Sequence, residues 1–199
     1  MSRQSALYQW YLLVANHLPH LTKPQAMGLA LWSFAIATLK SCGLTSVTAF
    51  LATLLGEKEN TMRQRLREWY YDANDKKGAQ RRDLDVSTCF APLLRWVLQW
   101  WSAGERRLAL VMDATTLGQR FVVLTISVVY RACAIPVAWT VLPATTPGPW
   151  KPHWQALFEH LRGSIPSDWT VIVLADRGLY APWLYQQVIS LGWHPFFPY

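Results

Sequence analysis

VIVLADRGLY, residues 171–180, sets a β-branched apolar run against an abrupt Asp-Arg-Gly. Val171, Ile172, Val173 and Leu174 follow one another without a polar break, which reads as a strand buried on both faces. The carboxylate at its end, Asp176, has two uses: it can cap the helix that follows, or it can carry chemistry. Taken alone, capping is the simpler reading.

Asp176 has a counterpart. LALVMDATT, residues 108–116, also runs apolar and reaches a carboxylate, Asp113. By itself Asp113 is a turn residue ahead of Thr115 and Thr116. Together, two apolar strands some sixty residues apart are each expected to end in Asp. In mixed sheets with crossover helices, ligand sites gather beyond the carboxyl ends of parallel strands. Two carboxylates converging there repel unless a cation lies between them. Mg²⁺, a hard ion commonly held by one or two carboxylates and phosphate oxygens, suits the pair, with Mn²⁺ as its substitute. Two such ions about 4 Å apart activate an attacking oxygen and stabilise the leaving one in phosphodiester chemistry.

Around these strands the pattern divides at WSAGERR, residues 101–107. Before it the periodicity is helical. Helices are expected over residues 5–18, from Thr22 and Pro24 to about Lys40, over 46–55, from an Asn60 or Thr61 cap through Tyr70, and over 87–101. After it the order reads β-β-β-α-β-α-β. Strand one stops at Asp113, Gly118 turns the chain, and a Thr-Pro-Gly-Pro loop spans 146–149. A last strand begins in WHPFFPY. The expected organisation is a helical region over 1–104 and an α/β domain over 105–199.

That order, with Asp ending strands one and four, resembles the ribonuclease H-like fold of DDE transposases. VMDATTLG and LADRGLYA are similar to the first and second acidic motifs of bacterial insertion-sequence transposases of the IS-four-like group. The likeness runs over about residues 106–199. It implies that Asp113 and Asp176 ligate divalent metal, in a two-metal site, for water and then a DNA 3′-hydroxyl to attack a phosphodiester at a transposon end. It further implies double-stranded DNA as partner, and a homodimer on DNA is one assembly it allows. Arg177 is either a phosphate contact or a surface arginine beside a turn. Gly178 would let the backbone turn sharply. The family's third acid, a later Glu in a Tyr-Arg-Glu-Lys type signature, has no counterpart: Glu159 is the only Glu after Glu105, and it precedes Asp176. A transposase cut off before its third acid, inactive alone, is the expectation. The alternative is a non-catalytic DNA-binding remnant that occupies element ends or pairs with intact transposase.

Charge supports an anionic partner. The 199-residue chain carries a formal net charge of +7, and fourteen of its Lys and Arg fall within residues 1–107. The densest part joins Arg63, Arg65 and Arg67 to Lys76, Lys77, Arg81 and Arg82, with Trp69, Tyr70 and Tyr71 interleaved. Such a segment can track phosphates, or it can be a solvated helix face and loop. Cys42, Cys89 and Cys133 show no paired spacing, which points to a reducing, cytoplasmic setting without disulfides. A membrane span is not expected. The apolar run after Gly28 is short of roughly 20 residues, and residues 121–142 carry Arg131 at their middle.

Overall fold

The structure, a computed structural model, describes residues 2–76, 82–146 and 148–197. The chain forms two compact units, Met1–Val86 and Ser87–Tyr199.

Among the described residues the first unit holds four α-helices: α1 (Arg3–His17), α2 (Lys23–Leu39), α3 (Leu44–Leu55) and α4 (Glu59–Tyr70). Apolar residues at helical spacing close its core, with Leu7, Leu31, Val47, Leu51, Met62 and Leu66 all buried. Indole and amide groups tie the helices across the gaps. Trp10 Nε1 donates to Ser33 Oγ (2.7 Å), Gln4 Nε2 to the Leu54 carbonyl (2.6 Å), and Trp32 Nε1 to the Leu66 carbonyl (3.3 Å). The start of α2 is as expected. Thr22 is its N-cap with Pro24 in the first turn, and the Thr22 N–H donates back to Gln25 Oε1 (2.9 Å). The start of α4 is not, because Lys58 rather than Asn60 or Thr61 is the N-cap. That places Glu59 in the first turn, where a negative charge suits the helix dipole.

α2 and α3 together are long and apolar, but the chain bends by 103° between them, and no single described helix is long and apolar enough to cross a membrane.

Helix α5 (Phe90–Leu98) belongs with the second unit. It follows a 3₁₀ turn over Val86–Cys89, so the expected helix from Ser87 begins with a tighter turn. Phe90, Leu94 and Val97 join the same core as the sheet. The boundary between the units therefore falls at residues 86 and 87, not at 104, since an apolar stripe announces that a helix packs but not against what.

The sheet has five strands: β1 (Arg107–Leu117), β2 (Phe121–Tyr130), β3 (Cys133–Pro143), β4 (Thr170–Ala175) and β5 (His194–Phe196). Their order is β3-β2-β1-β4-β5. β1–β2 and β2–β3 are antiparallel hairpins, whereas β4 lies parallel to β1 and to β5. α6 (Lys151–Leu161) connects β3 to β4, and α7 (Pro182–Ser190) connects β4 to β5. Both pack into one core with the sheet. There Trp154, Phe158 and Leu184 pack with Leu110, Ile126 and Val173. The expected α/β class and mixed sheet are present.

Two expectations for the strands need correction. β4 is buried on one face only: Val171 and Val173 are buried, but Ile172 is 39% exposed. The helices cover one side, and among the described residues nothing covers the other to the same depth. β1 also does not stop at Asp113. It runs on to Leu117, with Thr115 opposite Val123 and Thr116 opposite Val122, before the turn at Gly118 (φ 60°).

The β2–β3 turn uses Arg131 (φ 47°) and Ala132 (φ 64°). Left-handed backbone matches the twist of a tight hairpin, at a steric cost to side chains with a Cβ. On the outer strand β3, Pro136 sits beside a bulge that shifts the register at Ile126 and Ser127. Pro147, in the expected 146–149 loop, lies outside the described residues.

Candidate metal centre and nucleic-acid interface

The parallel ladder between β1 and β4 ends on the pair formed by Met112 and Ala175. Asp113 and Asp176 are the next residue along each strand. Neighbouring strands run roughly 4.8 Å apart, so the two carboxylates leave adjacent strands at one level. Side chains alternate across a sheet. Met112 and Ala175 point into the core, so Asp113, still within β1, is on the opposite, solvent-facing side, and Asp176 lies one residue past the end of β4. Both are exposed.

β1 reaches Asp113 while still paired with β2, since Asp113 lies opposite Thr125. β4 ends one residue earlier, at Ala175. Asp113 is thus held within a strand, and Asp176 stands at the mouth of a turn.

Each carboxylate also has a local partner. Asp176 Oδ1 accepts the Leu179 N–H (3.0 Å) and caps the short 3₁₀ turn Arg177–Leu179. Capping is therefore real, but it engages one oxygen. The Thr115 hydroxyl donates to Asp113 Oδ2, and Thr115 follows Asp113 by two residues on the same face of β1. Asp176 Oδ2 and Asp113 Oδ1 take no hydrogen bond from the described residues. A free carboxylate oxygen is the hard donor type that Mg²⁺ or Mn²⁺ takes.

Gly178 is not needed for a left-handed turn, since its φ is outside that region. A Cβ there would meet the Asp176 carboxyl group, nearest at Oδ1, 3.4 Å away. The close approach it permits is to the carboxylate. Arg177 is exposed beside Asp176 and forms no ion pair among the described residues.

No third acid joins the pair: among the described residues, no group of three or more His, Cys, Asp or Glu forms. Glu159 lies on α6 and pairs with Arg162 (3.0 Å). Asp168 pairs with Arg106 (2.6 Å).

The basic set of the first unit does not form one surface. On α4, Arg63 and Arg67 are four residues apart and share a face, whereas Arg65 turns away from them. Arg65 pairs with Glu57 (3.0 Å), and the Arg67 guanidinium lies over the Tyr71 ring (5.7 Å). Arg65, Lys76 and Arg82 instead line a groove of about 1090 Å³ with Gln25, Gln64 and Trp69. The Lys76 ammonium donates to the Arg82 carbonyl (2.6 Å). Lys77 and Arg81 lie outside the described residues.

One residue of this groove is not singled out by the sequence reading. Gly28, in mid-α2, faces Trp69, whose Cδ1 would lie 1.9 Å from a Cβ at that position. Trp69 Nε1 donates to the Gln25 carbonyl (2.9 Å), which fixes the indole against the bare helix backbone. A glycine inside an otherwise regular helical pattern is the signal that could have found it.

Neither a family model nor a curated protein matches the chain. Solved structures similar to it include two Mos1 complexes. The Mos1 strand transfer complex is 13% identical, with 86% of this chain and 57% of that chain covered and a TM-score of 0.30. A pre-cleavage Mos1 transpososome is 12% identical, with 84% and 58% covered and a TM-score of 0.27. The chain spans less than three fifths of the length of either. The likeness is too slight to bear on the site.

Proposed function

We propose that this chain is a DDE-type transposase with a ribonuclease H-like domain, acting on DNA ends through divalent metal held by Asp113 and Asp176. The observation that supports this reading is the position of the two aspartates. They follow the last residue pair of two parallel strands, at the centre of a β3-β2-β1-β4-β5 sheet. Mg²⁺ bound there would supply charge stabilisation and an activated oxygen for phosphodiester attack. The protein's own part is to set two carboxylates at the end of that ladder, with Thr115 and the Leu179 N–H orienting them. The similarity to the IS-four-like acidic motifs, VMDATTLG and LADRGLYA, agrees with this assignment.

Mn²⁺ binding, followed through the paramagnetic resonance of the free ion, tests the site. The parent chain should bind, and Asp113→Asn should weaken binding by at least about tenfold, the loss that even an outer-shell partner brings. Equal binding by parent and variant would remove the basis for the proposal.

Among the described residues no third acid joins the two aspartates, and this favours a second reading, in which the chain holds metal and DNA but does not cut. Glu159 is engaged by Arg162 on α6 and is in no acidic cluster with the aspartates. In a cleavage assay on duplex DNA with Mg²⁺, this reading expects binding without product. Product that disappears with Asp113→Asn would return the balance to the complete enzyme.

Duplex DNA as partner rests on the net charge of +7 and the groove lined by Arg65, Lys76 and Arg82. Affinity should fall steeply with salt, and Arg82→Glu should flatten the log–log slope by about 1, for one phosphate no longer neutralised. A slope that does not change would take Arg82 out of the interface. The same substitution at Arg63 or Arg67, on the other face of α4, shows whether that side touches DNA too.

A further inference from the structure

The second unit has another cavity, of about 430 Å³, near the start of β1. Asp113 lies six residues along that strand, about 20 Å away at the usual rise, so this is not the aspartate site. Its size is within the range of roughly 300–1,000 Å³ for small-molecule sites.

The walls are aromatic and fixed. Trp101 Nε1 donates to the Arg107 carbonyl (3.0 Å), and Tyr130 Oη donates to the Trp100 carbonyl (3.1 Å). The Trp101 and Tyr130 rings lie 4.7 Å apart between centroids, and those of Trp100 and Tyr130 lie 5.8 Å apart. Trp100 itself remains 46% exposed, with its ring against that of Tyr130. Ile172 and Val129, each 39% exposed, add apolar lining.

The charge at the rim is mostly positive. The Arg131 guanidinium lies over the Tyr130 ring (5.2 Å), on the left-handed turn that carries it. Arg107 completes the pair. Neither forms an ion pair among the described residues, whereas nearby Arg106 is taken by Asp168. Glu105 also lines the cavity and is its one opposing charge.

A flat apolar surface beside two guanidinium groups that form no ion pair among the described residues matches a nucleobase with its phosphate. Bases in a duplex have their faces covered by their neighbours, so the surface selects unpaired ones. We propose that this cavity binds an unpaired nucleotide of single-stranded nucleic acid, with the base stacked on Trp100 and the phosphate held by Arg107 and Arg131. This goes beyond the metal site and does not depend on it.

The test is fluorescence anisotropy of a labelled fifteen-residue thymidylate strand, run in EDTA so that metal at the aspartates plays no part. A blunt duplex of equal length is the comparison. Trp100→Ala should weaken single-strand binding roughly tenfold, within the range seen for loss of one stacked base. Duplex binding should change less than twofold. Arg131→Glu, on an exposed turn, should act in the same direction and carries the test if circular dichroism shows that Trp100→Ala does not fold. Unchanged single-strand binding in a folded variant, or an equal loss for strand and duplex, would overturn the proposal.

Discussion

Gly28→Ala should lower the stability of the helical unit by about 2 kcal/mol, although alanine is the better helix former. The helix-propensity gain is about 1 kcal/mol. Against it stands a methyl carbon built 1.9 Å from Trp69 Cδ1, a separation that no pair of non-bonded carbons tolerates. Overpacking of this kind costs about 3 kcal/mol at the upper end of its usual range. The ring cannot slide aside cheaply, because its Nε1 is bonded to the Gln25 carbonyl of the same helix. Urea unfolding followed by far-UV circular dichroism gives the difference directly. Combining Gly28→Ala with Trp69→Leu should recover part of the loss, so that the double variant is more stable than the two single effects predict. A Gly28→Ala chain as stable as the parent would mean that the indole does not rest on α2.

The second large effect separates the two uses of Asp176. Asp176→Asn retains a side-chain oxygen for the Leu179 N–H, and asparagine caps as well as aspartate. Stability should therefore move by only a few tenths of a kcal/mol, while Mn²⁺ affinity drops at least about tenfold with the lost charge. Asp176→Ala removes both uses and should add a stability loss of up to about 1 kcal/mol. Parallel unfolding and metal titrations distinguish the cases. If Asp176→Asn binds Mn²⁺ as the parent does, Asp176 is a cap and nothing more.

Much of this was legible in the residues. The apolar run from Leu108 to Met112 marks a strand, and Thr22 with Pro24 marks a helix start. The extension of β1 past Asp113 was harder to see. Ala-Thr-Thr-Leu reads as a turn beside an Asp, although its β-branched threonines suit a strand once Val122 and Val123 are there to pair with. Ile172 misled in the other direction. Four apolar residues in a row suggest two covered faces, but coverage depends on where the crossover helices go. The separation of Arg65 from Arg63 and Arg67 follows from helical spacing alone. Its partner Glu57 lies before the helix begins and has no place in that pattern. The mid-helix glycine signals that something rests on α2 but not that it is Trp69, and a contact between distant elements such as the Tyr130 hydroxyl on the Trp100 carbonyl leaves no local trace.

Pro136 has a consequence for how copies of this chain can associate. β3 is an outermost strand eleven residues long, the sort of border on which another chain can template itself. A proline supplies no N–H, and the adjacent bulge bends the strand out of register. An incoming strand would find its zipper broken partway along. Self-association by sheet extension along that border is thereby discouraged, so a protein rich in exposed apolar side chains carries its own guard against fibre growth there.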